Sequence, residues 1–86
     1  MKDENYYVYF LQSLKDDSYY IGTSNNVKRR LKQHNDGESK STAPKKPWVL
    51  RRIEKFDNIK QAYSRERFIK KKKSRKIIEK IINSKI

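Results

Sequence analysis

Tyr6-Tyr7-Val8-Tyr9-Phe10-Leu11-Gln12-Ser13 is the stretch on which the fold turns. Aromatic and β-branched side chains run through it without strict alternation, the pattern of a strand covered on both faces and central in its sheet. Lys15-Asp16-Asp17-Ser18 reads as a turn, and Tyr19 to Thr23 returns as a second strand. In an antiparallel pair, directly opposed residues share a face and their numbers sum to a constant. A two- or four-residue loop centred near Asp16 makes that sum 31 or 33. Tyr9 and Tyr20 differ in parity, so either register puts them on one face as near neighbours.

Outward from these strands the punctuation is clear. Ser24, Asn25 and Asn26 supply N-cap candidates for a helix running to about Asn35, closed by Asp36-Gly37. Residues 38–47 form a polar, basic loop with both prolines, Pro44 and Pro47, and Trp48 to Phe56 is a third strand. Asp57 or Asn58 caps a second helix to about Lys72, and Ser74 caps a third to about Asn83. The prediction is a small α+β domain: a three-stranded antiparallel sheet flanked by about three helices, in the order β-β-α-β-α-α.

Two of these helices carry polar residues where core residues belong. The inward stripe of the first is Val27, Arg30, Leu31 and His34, half of it apolar. In the second, Ile59, Ala62, Tyr63 and Ile69 are the expected apolar positions, and Glu66 takes the remaining inward slot. If Glu66 points inward it needs a cation, with Arg30 or a bound metal as candidates; the plain alternative is a surface pair with Lys70 at i, i+4. Arg30 and His34 have plain alternatives too, an arginine reaching out along the helix edge and a satisfied, partly buried imidazole. The third helix is ordinary, with Ile77, Ile78, Ile81 and Ile82 as a core face. Trp48 reads as a packing anchor.

Composition identifies the partner. Eighty-six residues at 34% hydrophobic and 38% charged allow one domain over residues 1–86 with a thin core. The chain has no cysteine, which excludes disulfides and cysteine-bound zinc and fits the cytoplasm. The start, Met1 to Asn5, is polar, and no apolar run long enough for a signal peptide or membrane span follows it. The net charge is +13, distributed as −2 over residues 1–27 and +15 over residues 28–86. Such a surface attracts polyanions, nucleic acid before membrane. Lys70, Lys71, Lys72, Lys73, Arg75 and Lys76 are the candidate phosphate contacts, extended by Lys45, Lys46, Arg51 and Arg52. Six such contacts give a slope of roughly −5 in log K against log salt, largely blind to base sequence.

Tyr7-Val8-Tyr9 and Tyr20-Ile21-Gly22, followed by Arg30, His34 and Glu66 in that order, resemble the GIY-YIG nuclease superfamily. Gly37, Thr42 and Pro47-Trp48-Val49-Leu50 are similar to a segment of its small stand-alone bacterial members. The resemblance covers nearly the whole chain. It implies a compact α/β domain that hydrolyses DNA phosphodiesters with a single divalent ion, magnesium or manganese. It also implies roles: Tyr20 as general base or water-positioning group with Tyr9 in support, Arg30 on the transition-state charge, His34 in proton transfer and Glu66 on the metal. A tyrosine of reference pKa ~10 needs neighbouring cations or His34 to act as a base near neutrality. The chain departs from the pattern at Tyr7, which stands for the first glycine of the motif, and past Glu66, where Asn83 is the one candidate for a supporting asparagine. Larger members borrow specificity from attached modules, so a protein partner is a candidate source of it here.

Two function classes remain open: a metal-dependent endonuclease acting on branched, nicked or single-stranded DNA, and a non-catalytic basic DNA- or RNA-binding module on the same fold. A small RNA- or ribosome-associated protein would account for the charge and for none of Arg30, His34 or Glu66.

Overall fold

The computed structural model describes residues 5–84, so the polar start Met1–Glu4 lies outside them. The elements are β1 (Tyr6–Ser13), β2 (Tyr19–Ser24), α1 (Val27–Asn35), β3 (Trp48–Phe56), α2 (Ile59–Lys72) and α3 (Arg75–Ile82), with a 3-10 turn at Ala43–Lys45 inside the α1–β3 connection. The sheet order is β2-β1-β3, antiparallel throughout. The expected α+β order and the central place of β1 are both present.

The β1–β2 ladder runs from Tyr7 opposite Ser24 to Gln12 opposite Tyr19, a constant sum of 31. A four-residue loop closes it: Ser13 N donates to Ser18 O, and Asp17 turns in the left-handed region at φ 65°. Ser13, wholly buried, holds the corner, its hydroxyl accepting from Lys15 N and Asp16 N while donating to Lys45 O. Alternation then sorts the sheet. Tyr9 and Leu11 with Tyr20 and Gly22 face one way, and Val8 and Phe10 with Ile21 and Thr23 face the other.

Each face has its own core. On the α1 face, Tyr9, Leu11, Val27 and Trp48 are buried together, with Tyr20 and Leu31 against them. On the other, Val8, Phe10, Ile21, Ala62 and Ile69 pack under α2 and are joined by Ile78, Ile81 and Ile82 of α3. Burial on both sides is why β1 reads as a continuous apolar run. Asn26, Asn58 and Ser74 cap the three helices, each accepting from the backbone N–H three residues on. Gly37 follows α1 at φ +79°, where its N–H meets His34 O, the conformation for which a glycine is used.

The α2 stripe differs from expectation. Ala62 and Ile69 are buried, but Ile59 and Tyr63 are exposed. The helix is turned so that Arg65 and Glu66 take the half-buried places. Arg65 forks onto Glu54 of β3 at 2.8 and 3.1 Å, and Arg52 reaches the same carboxylate at 3.0 Å. Burial alone would raise the Glu54 pKa, but Arg65 and then Arg52 hold it below the ordinary carboxylate value. This ion cluster, with Ala62 and Ile69 packed on the sheet, accompanies the rotation of α2. No periodicity of α2 alone could reveal it. In α3, Ile77 likewise stays out of the core and lines an open cavity with Lys76, Glu79, Lys80 and Asn83.

Candidate active site at the edge of the sheet

Four of the five candidate catalytic residues meet on the α1 face. The Tyr9 and Tyr20 rings lie 6.2 Å apart by centroid, and the His34 ring sits 4.8 Å from Tyr20 and 6.0 Å from Tyr9. The ladder explains this contact: Tyr9 stands opposite Gly22, one diagonal step from Tyr20. A Cβ at Gly22 would lie 2.5 Å from Tyr9 Cζ and Oη and 3.0 Å from Tyr20 Cε2. The tyrosine ring lies across bare backbone, and any side chain there would move it. The sequence motif contained this glycine; the reason for it appears only in the packing.

His34 is fully buried and satisfied at both nitrogens. Nε2 pairs with Tyr9 Oη at 3.2 Å and Nδ1 with Thr42 Oγ1 at 2.8 Å. Both hydroxyls can donate or accept, so either tautomer is served. Thr42 continues the chain, its carbonyl accepting the Trp48 indole N–H at 3.0 Å, and Trp48 meets the Tyr20 ring edge-on at 6.2 Å. Asn35 Oδ1 accepts from Trp48 N, and its amide donates to Trp48 O. Burial first, and Arg30 second, lower the His34 pKa, so the imidazole is neutral at pH 7. Trp48 is the packing anchor expected of it. Thr42 has no periodic signal, because its partners are 8 residues away in a loop-to-helix contact.

Arg30 is half-buried one turn before His34 and donates to Gln33 Oε1 at 2.6 Å. Tyr9 first, with burial opposing, then Tyr20, raises the Arg30 pKa. Burial is the main cause that raises the Tyr9 pKa, opposed by Arg30. Tyr9 is therefore a neutral hydroxyl at pH 7, held between a cation and an imidazole.

Glu66 arrives from the opposite face, around the outer edge of β2. Its side chain is 18% exposed. The Thr23 hydroxyl donates to its Oε1, and Lys70 Nζ donates to its Oε2 at 2.6 Å. The cation that meets the inward glutamate is therefore Lys70, not Arg30. Lys70 also links the two halves of the site, its ammonium lying 5.6 Å from the centroid of the Tyr20 ring. The Glu66 charge is felt at Tyr9, where it adds to the upward shift. Beside it opens a groove of about 260 Å³ lined by Tyr63, Glu66, Arg67 and Lys70. Among the described residues no three His, Cys, Asp or Glu side chains cluster as a metal cage. The donor chemistry at Glu66 still suits a hard divalent ion, a carboxylate beside an open groove with room for water ligands, one oxygen held by Thr23 and the other by Lys70.

The basic candidates fall into two groups. Lys45, Lys46, Arg51, Lys71, Lys72, Lys73 and Lys76 are exposed, with Lys72 4.8 Å over the exposed Phe68 ring. Arg52 and Arg75 are structural as well: Arg52 holds Glu54, while Arg75 stacks 4.8 Å over Tyr19 and donates to Asp17 O, fastening α3 to the β1–β2 turn. Asn83 caps the end of α3 and lines the separate α3 cavity. Among the described residues, no helix is long and apolar enough to cross a membrane.

Comparison with known proteins adds an independent observation. UPF0213 protein CPE1444 of Clostridium perfringens is 46% identical over 66 residues, which are 76% of this chain and 70% of that one. UPF0213 protein BLi00048/BL00536 of Bacillus licheniformis is 40% identical over 86 residues, 99% of this chain and 87% of that one. The solution NMR structure of UPF0213 protein BH0048 from Bacillus halodurans superposes with a TM-score of 0.56 at 34% identity, covering 91% of this chain and 82% of that one. Residues 5–80 match the GIY-YIG catalytic domain, a span that takes in both tyrosine strands, Arg30, His34 and Glu66, and the chain accordingly belongs to the GIY-YIG family.

Proposed function

We propose that this chain, as one domain over residues 1–86, is an endonuclease that hydrolyses DNA phosphodiester bonds at the β2 edge, with one divalent ion, magnesium or manganese, held by Glu66. The observation that carries this reading is the convergence of the Tyr9, Tyr20 and His34 rings one helical turn from Arg30, with a half-buried carboxylate held by Thr23 on the same strand. A phosphodiester accumulates negative charge as water attacks, and a pre-placed guanidinium acts where that charge grows. Tyr20 orients the attacking water, whose proton passes to solvent as the new P–O bond forms and the bond to the leaving sugar oxygen breaks, that oxygen taking a proton from solvent in turn. Gln33 holds Arg30, and the buried imidazole, bonded to Thr42, fixes the Tyr9 hydroxyl. When bound, the metal ion supplies Lewis-acid polarisation of the phosphate. The exposed lysines on either side of the site, Lys45 and Lys46 near the α1 face and Lys71 to Lys73 at the end of α2, draw the DNA backbone across it. Branched, nicked or single-stranded DNA is the preferred substrate, with a partner protein as a further source of specificity, and cytoplasmic residence follows from such a substrate.

The test compares the full chain with Glu66→Ala on supercoiled and branched DNA, in magnesium or manganese and in chelator. Nicking is expected only with metal and only in the parent chain, with DNA binding retained by both. Equal nicking by Glu66→Ala would remove the catalytic assignment. Binding without nicking by either protein would instead make the chain a basic DNA- or RNA-binding module.

A further inference from the structure

We propose that Lys70 is a built-in counter-ion for Glu66, competing with the divalent cation for the carboxylate and releasing it when a nucleic-acid phosphate takes up the ammonium. The idea rests on Glu66 as metal ligand and extends it to the coupling between metal and DNA. The two carboxylate oxygens are held differently. Oε1 is engaged by the Thr23 hydroxyl from the sheet, and Oε2 by Lys70 Nζ at 2.6 Å, both Glu66 and Lys70 lining the open groove. A magnesium ion must sit roughly 2.0–2.1 Å from the oxygen it binds. That shell overlaps the space of the ammonium, and two cations on one oxygen repel, so metal entry requires Lys70 to leave.

Where the ammonium can go is also visible. Its nitrogen stands between the α2 carboxylate and the Tyr20 ring, the gap that a scissile phosphate would enter. The side chain is 48% exposed and the groove beside it is about 260 Å³, so a swing on the four-carbon stem meets little obstruction. A phosphate that draws Lys70 away unmasks Glu66. By linkage, DNA then raises metal affinity and metal raises DNA affinity by the same factor. Glu66 needs a counter-charge when neither is present, since a mostly buried carboxylate is costly alone. Lys70 fills that role until the substrate arrives.

The experiment measures Mn2+ binding to the full chain from the free-Mn2+ electron paramagnetic resonance signal, for the parent, Lys70→Gln, Lys70→Arg and Glu66→Gln. Each is measured alone and with a phosphorothioate-backbone DNA duplex, and Glu66→Gln supplies the background for Mn2+ held by DNA itself. Lys70→Gln is expected to bind Mn2+ alone roughly fivefold more tightly than the parent, the scale of one partly exposed ion pair. Lys70→Arg, which keeps the pair, is expected to bind no more tightly than the parent. The duplex is expected to tighten Mn2+ binding to the parent by a larger factor than to Lys70→Gln, and an equal factor in the two would overturn the coupling. Far-ultraviolet circular dichroism checks that all variants fold. Equal Mn2+ affinity in the parent and Lys70→Gln, with loss in Glu66→Gln, would overturn the counter-ion role and leave the metal reading intact. Binding by Glu66→Gln equal to the parent's would overturn both.

Discussion

On the α1 side of β2 the buried polar groups are paired to one another, whereas around the outer edge, toward α2, the charges sit on long side chains in an open groove. Tyr9, His34, Thr42 and Trp48 form one continuous line of hydrogen bonds with almost no exposure. Glu66, Lys70, Arg67 and Tyr63 line a groove into which water, an ion or a phosphate can enter. The difference follows from what burial demands. A polar group taken out of water must be fully paired, and among the described residues no buried side-chain nitrogen or oxygen lacks a partner. That requirement makes the closed half rigid. The open half has solvent as a standby partner, so its ion pair can exchange. The proposed hydrolysis would use both properties: a fixed positive frame where charge develops, and a replaceable cation where substrate and metal come and go.

The sharpest way to break this division is Arg30→Ala. It should lower DNA nicking by about 10²–10³-fold with little change in melting temperature, because Arg30 is half-buried and its loss leaves no buried orphan. Unchanged nicking rates would mean that the closed half is scaffold only.

His34→Ala is the reverse case. It removes a fully buried ring and strands the Tyr9 and Thr42 hydroxyls, so unfolding stability should fall by about 2–4 kcal/mol, read as a lower denaturant midpoint at constant m. Tyr63→Ala, on the open side and half exposed, should stay within about 0.5 kcal/mol. If the two changes were equally costly, the contrast between the halves would be lost.

Gly22→Ala sharpens the picture at one atom. The added methyl would meet Tyr9 at 2.5 Å, so it should destabilise by about 1–3 kcal/mol and also displace the Tyr9 hydroxyl from His34. A thermal melt together with the His34 imidazole NMR shifts checks both parts.

The smallest effect is in pH. Burial and Arg30 lower the folded His34 pKa, so between the ordinary imidazole value of about 6.5 and the lowered one the unfolded chain binds the proton and the folded chain does not. Stability from this group is complete above about pH 6.5 and declines as pH falls through that window. Melting temperatures taken from pH 8 downward should show the decline in the parent and lose it in His34→Gln.

The legible parts of this molecule are those that a single element determines. The apolar run at 6–13 marked a doubly covered central strand, the constant sum fixed the shared face of Tyr9 and Tyr20, and Asn26, Asn58 and Ser74 stood at the helix starts. The inward places of Arg30 and His34 on α1 could be read from helical spacing alone. The α2 stripe was less legible: Ile59 and Tyr63 fit it by period and lie outside, since the helix is rotated, with the Arg65–Glu54–Arg52 cluster accompanying the turn. Glu66 was recognisable as out of place in an apolar face and its i, i+4 pair with Lys70 was readable from spacing, but the Thr23 bond was not.

Repeat spacing, caps and turn residues act over a few positions, and those local rules sufficed for the elements, their order and the faces of β1, β2 and α1. Which side chain meets which across the fold came from packing alone: a phenol seated on Gly22, an imidazole closed off by a loop threonine, a glutamate met by a strand threonine. Such contacts depend on the final angle and depth of each helix on the sheet, which is a sum over all the contacts at once and is written in no single stretch of chain.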